Sequence, residues 1–334
     1  MIQVFLLVFA SFALSLALTA WVRRRALAQN RLDEPVARSS HVTPTPRGGG
    51  LGIAVTFYLA LGWLWLMGTV PTPLAAALVP GLALVAIGYL DDRQSQSAFL
   101  RIAVHLGVAG LAMAGLGGWP TLDLGFTTWD WPDWAGFGIG TLAIAWAINF
   151  VNFMDGIDGL AGTEALFFAL AGLLLLPTEA GALLLAALGA ASTGFLILNW
   201  PPAKIFMGDV ASGLIGYVFA VIALYESQVA AAPIWPWVIV IGIFLVDATV
   251  TLMRRIAQGA KPWEAHRSHA YQWAARRFQS HQKVTLGVLA LNLVWLLPLA
   301  CLAARWPTCS LAIAGLALVP LIALALRFHA GRPE

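Results

Sequence analysis

The chain is a succession of long apolar blocks joined by short polar connections. Eleven blocks can be cut from it, over 2–22, 49–70, 72–90, 101–118, 135–153, 159–176, 180–199, 211–227, 231–253, 285–304 and 309–328. Apolar runs of this length with few charges predict membrane-crossing helices. The pattern therefore predicts an all-α integral membrane protein of about 11 transmembrane helices (10–11), forming one polytopic domain over 1–334. The first block has no basic residue ahead of it and no small-x-small cleavage site before Arg23, so it reads as a true span and not a signal peptide.

Composition narrows the class further. Sixty percent of the residues are hydrophobic and 10% are charged, whereas a soluble domain carries roughly 25% charged residues. A soluble enzyme, a disordered chain and a coiled coil are excluded. A β-barrel would need short alternating strands and a polar lumen, for which there are too few polar residues. The net charge of +3 is a total, not a clustered basic face, so no nucleic-acid partner is expected. Position matters more than sum: 18 of the 19 Lys and Arg residues fall on alternate connections, with Arg305 the exception. The positive-inside rule then places 23–48, 91–100, 153–159, 199–210 and 254–284 on the cytoplasmic side, with the N-terminus outside and the C-terminus inside. Trp119, Trp129, Trp131 and Trp134 crowd an outer connection and read as an interfacial aromatic belt. Cys301 and Cys309 flank an outer turn and read as small apolar fillers, with a disulfide left open.

The polar residues at the inner ends of the blocks carry the candidate chemistry. Asp91 and Asp92 end the third block, and Asn149, Asn152, Asp155 and Asp158 end the fifth. Asp209 precedes the eighth, and His266 and His269 sit in the last large inner connection. Ionisable groups at membrane depth are costly and read as functional by default. Carboxylates with amide oxygens are hard ligands suited to Mg²⁺ or Mn²⁺. With Arg and Lys nearby they point to phosphoryl chemistry, in which positioning and charge neutralisation dominate. Asp247, inside the ninth block, reads either as a partner of Arg254 or Arg255 or as part of the cleft. Glu164 and Glu264 read as structural or solvated, and His105 as a packed helix residue. The stretch from Pro44 to Gly50 reads as a turn into the second block, or as a loop whose N–H groups and Arg47 approach a phosphate.

In chain order these residues form Arg38-Ser-Ser-His41, Pro46-Arg47-Gly-Gly-Gly50, Gly88-Tyr-Leu-Asp91-Asp92-Arg93, Asn149-Phe-Val-Asn152-Phe-Met-Asp155-Gly-Ile-Asp158, Phe206-Met-Gly-Asp209 and His266-Arg-Ser-His269. The set resembles the polyprenyl-phosphate N-acetylhexosamine-1-phosphate transferases, the MraY/WecA/WbpL-like family, and within it the O-antigen initiators of the WbpL type. The resemblance implies transfer of a sugar-1-phosphate from a UDP-N-acetyl sugar to undecaprenyl phosphate in the bacterial inner membrane, with the site on the cytoplasmic face. Catalytic roles fall on Asp91 as base, Asp92 beside it, and Asp155 and Asp158 shaping the site. Asp209 and Asn152 are the implied Mg²⁺ ligands. Arg47, Arg93, Arg101, Asn149, Lys204, His266, Arg267 and His269 are the implied substrate-binding residues. The two-histidine late element, in place of a three-histidine run, disfavours UDP-MurNAc-pentapeptide and leaves UDP-GlcNAc or a 6-deoxy N-acetyl sugar such as FucNAc or QuiNAc. Homodimers occur in that family, but hydropathy shows no dimer face.

Three other readings fit less well. An ion-coupled transporter would carry its ionisable groups near mid-membrane. An intramembrane aspartyl protease needs Gly where this chain has Phe206. A CDP-alcohol phosphatidyltransferase needs Ala-Arg where it has Gly162-Thr163.

Overall fold

Without water in a bilayer, each backbone polar group must be satisfied within its own segment, and the helix is the element that does so. The computed structural model describes residues 2–35, 43–175, 178–229, 233–264 and 266–333, and all eleven predicted blocks are helical within those residues. The Arg38–His41 motif lies outside them.

The elements are α1 (Ile2–Ala28), α2 (Leu51–Leu66), α3 (Thr72–Leu78), α4 (Leu82–Asp91), α5 (Ala98–Leu116), α6 (Asp133–Met154), α7 (Leu160–Leu174), α8 (Glu179–Asn199), α9 (Asp209–Val229), α10 (Trp235–Val240), α11 (Gly242–Ala257), α12 (Ala270–Phe278), α13 (His281–Leu291), α14 (Leu297–Arg305) and α15 (Ser310–Arg327). Among the described residues, eight helices or joined helix pairs are long and apolar enough to cross a membrane, and α2 and α7 are shorter apolar helices. Together they make an all-α integral membrane fold.

Three blocks are broken, each for a local reason. Pro80 lies in the 3₁₀ turn Val79–Gly81 that divides α3 from α4. Pro298 follows the π turn Asn292–Leu296 between α13 and α14. In both cases proline supplies no N–H to a continuous α-helix and its ring crowds the preceding turn. The ninth block divides at Ile241 into α10 and α11.

The bundle is built around α9. In its apolar stretch 94% of the residues are buried, against 22% in α1 and α5. Helices α6 and α4 pack on α9, α8 packs on α1 and α7, and α15 packs on α11. Close approach is set by glycine: a side chain at Gly88 would meet the Asp209 carbonyl at 2.3 Å. That contact brings the end of α4 against the start of α9.

Two short antiparallel strand pairs close the ends. Leu32–Asp33 pairs with Thr45–Pro46, and Leu122–Asp123 pairs with Thr128–Trp129. The tryptophans predicted as a belt lie on and beside the second hairpin: Trp129 and Trp134 are exposed, while the Trp119 and Trp131 ring N–H groups are buried. Among the described residues both cysteines are free thiols.

Candidate active site

The C-terminal ends of α4, α6 and α11 and the N-terminal ends of α5 and α9, with their connections, enclose a cavity of about 820 Å³. Volumes of this order hold small-molecule ligands. Asp91, Arg101, Asn149, Asn152, Asp155, Asp158 and Asp209 line it, together with Arg47, His266 and His269.

The acids are held by two arginines. Arg47 forks between Asp92, with Nε–Oδ1 at 2.8 Å, and Asp209, with Nη2–Oδ1 at 2.6 Å. Arg101 sits between Asp91 Oδ2 at 3.3 Å and Asp209 Oδ2 at 3.7 Å. The Gln96 N–H also donates to Asp91 Oδ1 at 2.6 Å. Asp92 plays a different part from its neighbour. It accepts the Asp209 N–H at 2.9 Å, so it caps α9 from the end of α4. Its other oxygen is buried without a partner among the described residues, and Asp92 does not line the cavity. Burial pushes its carboxyl up, and Arg47 with the α9 N–H groups pulls it back. Gly208 makes the cap fit: it has φ +79°, and a side chain there would meet Asp92 at 2.3 Å.

Asn149 and Asn152 occupy the last turns of α6. The Asn152 amide donates to Ser212 Oγ at 2.9 Å, and Asn149 donates back to the Ala145 carbonyl at 2.7 Å. Asp155 follows as the cap of α6, and its carboxylate meets no hydrogen-bond or ion-pair partner among the described residues. Burial pushes this group well above the usual carboxylate range; Arg47 opposes that shift, and Asp209, Asp92 and Asp158 add to it. Asp158 is tied down, accepting the Ala203 N–H at 3.0 Å and lying 3.3 Å from His281 Nδ1.

The Pro-Gly stretch acts otherwise than as a backbone phosphate cradle. The N–H groups of Gly49 and Gly50 donate to the Phe206 and Met207 carbonyls, each at 2.9 Å. They join this stretch to the connection before α9 and are already used. What it gives to the cavity is Arg47.

Three predicted substrate-binding cations do not line the cavity. Arg93 is exposed, donates to the Tyr89 hydroxyl and stacks on that ring with its guanidinium carbon 4.1 Å from the centroid. Lys204 is exposed, and its carbonyl accepts from Arg23. Arg267 is half-buried on the connection before α12, and its carbonyl accepts from Arg276 at 3.1 Å.

Asp247 matches neither of its predicted readings. It is buried and does not line the cavity. Its hydrogen bonds come from Thr251, His269 and the Ala270 and Tyr271 N–H groups, and not from Arg254 or Arg255. Glu164 is buried and accepts from Asn292 at 2.6 Å, as a structural residue would. Glu264, in contrast, lies on the cavity wall.

Sequence reasoning missed several wall residues. His105, read as packed, faces the cavity from α5, four residues beyond Arg101. Its signal was an ionisable side chain inside an apolar helix. Asp33, Trp146, Asn199, Trp263 and His281 also line the cavity and carried no comparable signal. His266 lies beside His269, ring centroids 5.0 Å apart. Burial, with His269 and Arg255 nearby, lowers its imidazole to about 3.

The family described as Glycosyl transferase family 4 matches residues 74–227. Over 300 residues the chain is 33% identical to the "Undecaprenyl-phosphate alpha-N-acetylglucosaminyl 1-phosphate transferase" of Yersinia pestis, covering 85% of this chain and 80% of that protein. The chain belongs to glycosyl transferase family 4. The "Decaprenyl-phosphate N-acetylglucosaminephosphotransferase" of Mycolicibacterium smegmatis is 31% identical, covering 80% of this chain and 74% of the relative. The "Probable undecaprenyl-phosphate N-acetylglucosaminyl 1-phosphate transferase" of Bacillus subtilis is 28% identical, covering 88% and 84%. The family match contains Asp91, Asp92, Asn149, Asn152, Asp155, Asp158 and Asp209, and it ends before the histidine connection.

Proposed function

We propose that this transferase moves an N-acetylhexosamine-1-phosphate from a UDP-sugar to undecaprenyl phosphate at the cytoplasmic face of a bacterial inner membrane, releasing UMP. The reading gives it the first step of O-antigen or another cell-envelope polysaccharide. It takes GlcNAc as the first donor sugar, because the relatives' names carry that sugar, with a 6-deoxy N-acetyl sugar next.

The observation that carries the reading is the arrangement of Asp91, Asp155 and Asp209 with Arg47 and Arg101 around one cavity at the helix ends. Two anionic substrates, one lipid and one soluble, can meet only where the bundle opens to both phases. An oxygen of the lipid phosphate attacks the β-phosphorus of the donor. The bond from that phosphorus to the bridging oxygen breaks, and UMP departs with that oxygen. Arg47 and Arg101 stabilise the charge gathered on the phosphates, and guanidinium suits this by bidentate geometry. Asp91 takes the remaining proton when the lipid phosphate arrives as a monoanion. Asp92 keeps Arg47 and the start of α9 in place. The transporter alternative loses ground, because Asp155 and Asp209 sit at helix ends and not within broken helices.

Among the described residues no three acidic, histidine or cysteine side chains form a ready-made metal cage. Mg²⁺ needs none, since it usually takes one or two carboxylates and completes its shell with substrate phosphates and water. Asp155 without a partner and Asp209 shared between two arginines fit that requirement. We assign Asp209, Asn152 and Asp155 to hold Mg²⁺, which when bound neutralises pyrophosphate charge. The test is UMP release by purified protein with undecaprenyl phosphate, Mg²⁺ and a panel of UDP-N-acetyl sugars, with and without EDTA. EDTA-sensitive release with one sugar supports the reading and identifies the donor. No release from folded protein with any sugar overturns it.

A further inference from the structure

We infer that Asp247 is a positioning residue for His269, fixing the ring so that Nε2 is the nitrogen offered to a phosphate in the cavity. Asp247 lies in the middle of α11 and is buried, as is His269. Asp247 Oδ1 lies 3.2 Å from His269 Nδ1 and accepts the Ala270 N–H at 2.9 Å and the Thr251 hydroxyl at 3.1 Å. Its Oδ2 accepts the Tyr271 N–H at 3.0 Å.

Two consequences follow from donor and acceptor chemistry. The two N–H groups belong to the first turn of α12, where helix N–H groups lack partners within the helix. An acid on one helix thus caps the next and fixes the connection that carries His269. A carboxylate that already receives three donors can only accept again, so Nδ1 must bear the proton in this contact. With Nδ1 committed to Asp247, the nitrogen left for a ligand is Nε2, on a ring that lines the cavity. Phe153 at 6.1 Å and Tyr271 at 5.7 Å between ring centroids hold the plane of that ring. A histidine whose far nitrogen is held by a carboxylate is fixed in tautomer and aim, as in other catalytic and metal sites.

This inference rests on the proposed transfer reaction, and the experiment separates the two. Asp247→Asn and His269→Asn are compared singly and together in UMP release from UDP-GlcNAc. His269→Asn keeps a donor near the Nδ1 position and removes Nε2. It is expected to fold with an unchanged melting temperature and to lose about 10- to 100-fold in kcat. Asp247→Asn is expected to lose a similar factor in wild type and less than about threefold in the His269→Asn background. Equal losses in both backgrounds would reduce Asp247 to a structural cap, and wild-type turnover in His269→Asn would overturn the role of Nε2. If Asp247→Asn fails to fold, His269→Asn still decides. Nitrogen NMR of histidine-labelled full-length protein supplies a readout independent of turnover. It should find His269 protonated on Nδ1 at neutral pH, and a ring protonated on Nε2 alone would overturn the proposal even if UMP release is normal. If wild-type protein releases no UMP with any sugar of the UDP-N-acetyl panel, the transfer reading fails, while the NMR result still judges the Asp247–His269 contact.

Discussion

The single carboxylate of Asp247 and the group of Asp91, Asp155 and Asp209 differ in what surrounds them. Asp247 is complete: backbone N–H groups, a hydroxyl and an imidazole occupy both oxygens. The group of Asp91, Asp155 and Asp209 is not. Asp209 is shared between two arginines, Asp91 receives Arg101 and the Gln96 N–H, and Asp155 stands beside them without a partner among the described residues. A buried acid with its full set of donors holds elements together. A set of acids and arginines left open to a cavity stores unmet electrostatic demand, and a ligand can meet it. The same residue type therefore serves architecture on α11 and chemistry at the ends of α4, α6 and α9.

Asp209→Ala should break the comparison most visibly. It removes one proposed metal ligand and the carboxylate shared by Arg47 and Arg101, without opening a core cavity. UMP release is expected to fall by about 10³-fold, with yield and melting temperature near wild type. Raising Mg²⁺ tenfold should recover part of the loss. Wild-type turnover would remove Asp209 from the metal site. Asp247→Asn, by contrast, should lower melting temperature as well as turnover, because it disturbs the cap of α12.

Asp91→Asn should cost about 10²-fold near pH 6. A phosphate monoester loses its second proton near pH 6. Below that pH the acceptor needs a base, and above it the acceptor arrives as a dianion. The defect should therefore shrink as pH rises to 8, while donor binding by calorimetry stays unchanged. A constant defect across this range, or lost donor binding, would show that Asp91 holds substrate and does not take its proton.

Arg47→Lys should cost about tenfold. One ammonium cannot reproduce the fork that spans Asp92 and Asp209. The loss should appear in kcat more than in KM, since Asp92 also caps α9. An unchanged kcat would mean that only the charge at this position is used.

How much of this was legible in the sequence depends on the range of the interaction. Apolar blocks of helical length predicted the helices, because a membrane segment that does not pair into a closed barrel satisfies its backbone only as a helix. Convergence of the acids was also legible, since alternating Lys and Arg put their connections on one side. The direction of a side chain was not. Arg93 and Arg101 flank one short connection, yet Arg101 turns into the cavity and Arg93 folds back onto Tyr89. The use of Asp247 was equally hidden, because three of its four partners, His269, Ala270 and Tyr271, lie 22 to 24 residues further along the chain. The Gly49 and Gly50 N–H groups looked available only because their acceptors, Phe206 and Met207, lie far along the chain.

The smallest effects should come from the cations that the fold turns away. Arg93→Ala removes an exposed guanidinium stacked on Tyr89, a contact worth about 0.5–1 kcal/mol at an exposed site. Lys204→Ala removes an exposed ammonium that does not line the cavity. Both substrates are anions, so each cation still contributes to the field that draws them in, and salt screens that contribution. Each variant should therefore change kcat by less than about twofold and raise KM by less than about threefold, with the KM effect fading as ionic strength rises. A tenfold loss of kcat that persists at high salt would mean that Arg93 or Lys204 reaches the phosphates during turnover. The connections that carry them would then have to rearrange when substrate binds, and the open acid cluster would be only part of the working site.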